Sequence, residues 1–198
     1  MKINSLRLRR LLGCATAGLL LLVRAALAAE PTAFALVKEG NRHVGEDAKD
    51  RVVQIRSEKS IGTLVPTIWY IVYYDPDAIA KATEVKFMAG RKESVKRPAR
   101  VLEPLTGAHK EMPREKLKLD SDAILERAQA EPLLKNVTLK ASQLTLERWG
   151  QEKEPAWKVR LWAAKLSNPI KNVDIGELCY SSETGKLLKN DLNINRVD

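Results

Sequence analysis

Two segments of this chain alternate apolar and polar residues so regularly that they read as β-strands. They are "PTIWYIVYYDP", Pro66 to Pro76, and "PAWKVRLWAAK", Pro155 to Lys165. Successive side chains of a strand point to opposite faces. Trp157, Val159 and Leu161 therefore share one face, and Lys158, Arg160 and Trp162 the other. Likewise Trp69, Ile71 and Tyr73 oppose Tyr70, Val72 and Tyr74. The first set in each strand is expected to be core. Trp69 and Trp157 stand 88 residues apart, and the same offset relates Gly62 to Gly150 and Thr32 to Asp120. Self-similarity at a fixed period is the signature of a repeated structural unit.

The elements around these strands fit such a repeat. In the first unit, Phe34, Val37, Asn41, Val44 and Ala48 fall at helical spacing, in a helix weakened by Gly40 and Gly45. "RVVQIRSEKS" reads as a strand, "GTLVP" as a turn, and Ala89-Gly90-Arg91 as the centre of a hairpin. In the second unit, "LDSDAILERAQAEPLL" reads as a helix capped by Asp120 or Ser121, with Ile124, Leu125 and Ala128 as its buried stripe. A long strand, "NVTLKASQLTLERWG", precedes the tryptophan strand. Two more strands close the chain around Glu183-Thr184-Gly185-Lys186, where glycine supplies the positive φ of a hairpin. The expected fold is α+β, in two tandem units, each one helix packed on an antiparallel β-meander. The first spans residues 29–97 and the second 119–198. Residues 98–118, rich in proline, read as a linker in which Val101, Leu102 and Leu105 pack down.

The first 28 residues are not read as part of this fold. Lys2, Arg7, Arg9 and Arg10 precede an apolar run from Leu11 to Val23, and Ala26 to Ala28 follow as small residues. That is the layout of a cleaved secretory signal peptide. The expected mature protein is secreted, and periplasmic in a Gram-negative host. Without the five basic residues of this segment, 29 basic residues face 25 acidic ones, a net charge of +4 rather than +9. So weak a balance does not argue for nucleic acid. No further apolar run reaches membrane-spanning length. Cys179 remains the one cysteine after Cys14 departs, so no intrachain disulfide is expected.

The second unit resembles the PepSY domain. Trp157 and Val159 match its W/Y-x-V strand. Ser182, Thr184, Gly185, Lys186 and Leu187 match its terminal D/S-x-x-TGK-hydrophobic hairpin. The match covers roughly Asp120 to Val197. The first unit has the helix and the "IWYIV" strand but lacks the "TGK" turn. The resemblance implies a small exported or membrane-associated domain of PepSY or cystatin-like fold. It implies an inhibitory or binding role in protease propeptides and envelope proteins, and no general set of catalytic residues.

The residues themselves point away from chemistry. The histidines, His43 and His109, lie on an interrupted helix and in the linker, with no motif such as G-x-S-x-G to supply a nucleophile. Cys179, inside a strand, reads as a small buried apolar residue. Clustered Cys and His, which zinc requires, are missing. Asp75-Pro76-Asp77 and Asp120-Ser121-Asp122 read as a turn and a helix cap rather than calcium ligands. "SSETGKLL" lacks the first glycine and the hydroxyl residue of a P-loop. The cation-rich "GRKESVKRPAR" reads as a solvated hairpin that discourages edge pairing. No cofactor or metal is expected, and the chain is expected not to be an enzyme.

Tyr70, Tyr74, Arg160 and Trp162 stand out, because alternation places them on the face without a helix. They are the candidate face for a protein or peptide partner in the cell envelope, such as a protease. The alternative is a periplasmic small-ligand protein with a pocket between the units, lined by Trp69, Trp157 or Trp162. Oligomeric state is left open.

Overall fold

In the computed structural model, residues 30–98, 111–151 and 154–197 are described. The fold is α+β: two short helices pack on one face of an eight-stranded antiparallel sheet. Helix α1 (Ala33–Gly40) is followed by β1 (Val52–Ser57), β2 (Ile68–Tyr74), β3 (Ala82–Met88) and β4 (Arg91–Lys96). Helix α2 (Ser121–Gln129) is followed by β5 (Val137–Trp149), β6 (Glu154–Lys165), β7 (Asn168–Ser181) and β8 (Leu187–Asn190). The spatial order is β4-β3-β2-β1-β5-β6-β7-β8, two meanders joined back to back through their first strands.

The 88-residue offset carries through much of the backbone. Thr32 caps α1 and Asp120 caps α2. Gly62 and Gly150 hold φ of +74° and +72°, a left-handed conformation that side chains resist. Trp69 on β2 and Trp157 on β6 are both buried. The offset ends at the hairpins, because β7 has 14 residues where β3 has 7.

The seam between the halves is short. β1 and β5 pair at Ile55 with Leu146 and Arg56 with Thr145. Serines then replace the ladder: Ser57 Oγ accepts the Leu144 N–H and Ser60 Oγ accepts the Ser142 N–H, each at 2.9 Å. The halves thus meet edge to edge, and their helix-free faces lie side by side. On the opposite face the helix N-termini are shared. The Ala33 N–H donates to Ser121 Oγ and the Phe34 N–H to Asp120 Oδ1, both at 3.0 Å. One hydrophobic core runs under both helices, from Leu36, Ile71 and Phe87 to Ile124, Trp157 and Leu178.

One expectation needs correction. The first helix stops at Gly40 and gives way to two 3-10 turns, Asn41–His43 and Glu46–Ala48. Its buried residues are Ala33, Leu36 and Gly40, while Phe34 and Val37 lie at the margin. Gly40 ends the helix where the Tyr73 side chain passes close beside it. The segment read as linker is partly integrated. Met112 is buried, its N–H bonded to Val52 O, and the Lys118 N–H reaches Ser182 O. Val101, Leu102, Leu105, His109 and the N-terminal 28 residues lie outside the described residues. Asp120 caps α2, and Ile124, Leu125 and Ala128 form its buried stripe.

Candidate functional site

The helix-free face is built by alternation and then decorated by cations. On β2, Trp69, Ile71 and Tyr73 turn inward, leaving Tyr70, Val72 and Tyr74 half-buried outside. On β6, Trp157, Val159 and Leu161 turn inward, leaving Lys158, Arg160 and Trp162 outside. Each outer aromatic is covered by a cation. The Arg56 guanidinium lies 4.1 Å from the Tyr70 ring centre, with Lys86 on the same ring at 5.6 Å. Arg51 lies 4.4 Å from the Tyr74 ring. Lys59 at 4.3 Å and Arg160 at 5.8 Å flank Trp162. Such contacts favour the cation over the negative ring face.

Carboxylates then fix the cations. Arg56 pairs with Glu84, Lys86 with Glu93 at 2.7 Å, and Arg51 with Glu111 at 2.6 Å. Arg160 grips Asp174 through Nε at 2.8 Å and Nη2 at 2.5 Å. Burial pushes the Asp174 carboxyl upward, but Arg160 and the Gly176 N–H outweigh it and hold it below the usual carboxylate range. Tyr70 donates its hydroxyl to Glu58 at 2.5 Å, and that bond raises the phenol above its ordinary value. Glu147 accepts from both Lys158 at 2.5 Å and Gln54 at 2.7 Å, across the seam.

The register aligns one row across the whole sheet: Ser94, Lys86, Tyr70, Arg56, Thr145, Lys158, Cys179 and Lys189. Cys179 is buried in that row, and burial pushes its thiol up to about 11. It is held protonated, without the thiolate character a nucleophile needs.

The four residues singled out from sequence all lie on this face, in two groups. Arg160 and Trp162 touch. Tyr70 and Tyr74 share β2, three strands away, or ~14 Å at ordinary strand spacing. The cations that cover them, Arg51, Arg56, Lys59 and Lys86, were not singled out. Their signal is cross-strand register, which no local pattern carries.

Trp69 and Trp157 are closed to ligands. Their indole N–H groups donate to Pro66 O at 3.0 Å and Leu119 O at 2.9 Å, inside the core. An open depression of about 350 Å³ lies elsewhere, between Asn136, Val137, Lys165, Leu166, Ile194 and Val197. Among the described residues, no group of three or more His, Cys, Asp or Glu is placed to hold a metal ion. No helix among them is long and apolar enough to cross a membrane. No family model, no curated protein and no solved structure matches this chain.

Proposed function

We propose that this chain is an exported, non-enzymatic binding module of two tandem PepSY-like units, and that its helix-free face receives a protein or peptide of the cell envelope, a protease among them. The observation that carries the reading is the make-up of that face. Half-buried Tyr70, Tyr74 and Trp162, each stacked with arginine or lysine, are the residue types enriched at protein interfaces and their hot spots. The paired carboxylates hold the long side chains in place before binding, which lowers the entropy lost on association. The repeated order of helix and four strands, with equivalent caps, glycines and tryptophans, supports the tandem reading.

Affinity capture tests the reading. The protein is immobilised and washed with envelope extract beside a Trp162→Ala/Tyr74→Ala column. One dominant protein retained by the first column and lost from the second supports it. Equal retention on both moves the site off this face. Clean columns with a folded bait, and Trp162 fluorescence that responds to a small metabolite, favour the small-ligand alternative. Export is tested separately: the expected N-terminus of the mature protein is Ala29.

A further inference from the structure

One end of the sheet combines features beyond the partner face, with which it shares Lys59 and Trp162. The β1–β2 loop, the β6–β7 hairpin and the 3-10 turn before β5 all lie there. Lys59 ties the first two together, donating to Asn172 Oδ1 at 3.2 Å while stacking on Trp162. Ser142 Oγ donates to Leu64 O at 2.5 Å and fixes the same loop to β5. Val137 pairs with Lys165, which pairs with Asn168.

Large apolar side chains project from this end into solvent. Ile61 is 91% exposed, Ile170 92%, Leu166 64%, Leu133 51% and Val65 45%. They belong to three separate segments. Within the segments that carry them, the charge has one sign. Residues 59–74, 132–146 and 161–173 contain five lysines (Lys59, Lys135, Lys140, Lys165 and Lys171) and no acidic residue. Of the bordering acids, Glu58 is bonded to Tyr70 and Asp174 is held by Arg160, while Glu131 opens the 3-10 turn Pro132–Leu134. Trp162, half-buried among these segments, is a residue type that favours the membrane–water boundary.

We infer that this end of the sheet is a docking surface for an anionic lipid bilayer, with Ile61 and Ile170 entering the acyl boundary and Lys135 and Lys140 reaching the headgroups. Apolar tips ringed by lysine suit a surface that is apolar inside and negative outside. The opposite end supplies an internal control. Ile79 on the β2–β3 loop is 88% exposed, but Asp77 and Lys81 flank it at two residues on either side, so it lacks a surround of one sign. Docking at the lysine end leaves most of the helix-free face, Tyr70 and Tyr74 included, open to a partner.

The test uses full-length Cys14→Ser protein carrying Ile61→Cys, Ile170→Cys or Ile79→Cys, each labelled with a nitrobenzoxadiazole dye. Vesicles of phosphatidylglycerol and phosphatidylethanolamine are titrated in, with phosphatidylcholine vesicles in parallel. A blue shift at positions 61 and 170 but not 79, on anionic vesicles alone, is the expected result. Lys135→Gln with Lys140→Gln should weaken binding at least tenfold, from about fivefold per lysine, and 0.5 M salt should act in the same direction. Site-specific labels keep the apolar N-terminal segment from mimicking the result. Unchanged spectra at 61 and 170, or an equal shift at 79, would overturn the inference and leave this end to a protein partner.

Discussion

Gly40 has no room for a β-carbon, because one built there would lie 2.2 Å from Tyr73 Oη. That hydroxyl donates to Val37 O at 2.8 Å, so helix, ring and strand are locked together. Gly40→Ala is expected to lower stability by roughly 1–3 kcal/mol through overpacking. Tyr73→Phe alone should cost ~1 kcal/mol, the lost hydrogen bond. The double variant should be more stable than the two single losses added together, since removing the hydroxyl removes the nearest clash; urea titration of the three variants reads this directly. Asp75 is a second residue with a defined task. Burial pushes its carboxyl upward, but bonds from Thr83 and the Asp77 N–H and the nearby Arg97 outweigh it and leave it below the ordinary value. A carboxyl depressed on folding adds stability above its unfolded value, near pH 3.9, and loses it as pH falls through the folded value. Asp75→Asn should therefore flatten the loss of stability in acid, below about pH 4, measured as melting temperature against pH.

The serine seam is the element on which the two meanders depend. With only two residue pairs between β1 and β5, Ser57 and Ser60 side chains stand in for strand partners. Ser57→Ala strands the buried Leu144 N–H and is expected to cost roughly 1–3 kcal/mol, more than the same change at half-buried Ser94 on the edge strand β4. Hydrogen exchange at Leu144 should accelerate in that variant. The two helices are joined just as closely. Asp120 serves both, accepting from Ser121 N–H of its own helix and Phe34 N–H of the other. Asp120→Ala should fall at the upper end of the usual 0.5–2 kcal/mol for a lost cap. Asp120 as a cap was legible, because capping is local and chemical. Its bond to Phe34 was not, because 86 residues separate them.

At the scale of the molecule, one sheet and one core link both halves of the chain. Trp69 reports on the first and Trp157 on the second, both from inside that core. In the unaltered protein, urea transitions followed by tryptophan fluorescence and by far-ultraviolet circular dichroism should coincide, as expected for one cooperative unit. Two separate midpoints would show that the halves unfold separately. The helix-free face is likewise a property of the whole sheet. Tyr70 comes from the first meander and Trp162 from the second, and edge-to-edge joining sets them on one surface.

Alternation, caps and turn glycines were readable from the chain alone, because each follows from steric or hydrogen-bonding rules acting over a few residues. They located the cores of all eight strands, the second helix and the outward direction of Tyr70, Tyr74, Arg160 and Trp162. The pairing of β1 with β5, the cations over each aromatic and the lysine-ringed apolar end arose only on folding. Each depends on which distant strands become neighbours, and short-range pattern does not encode that.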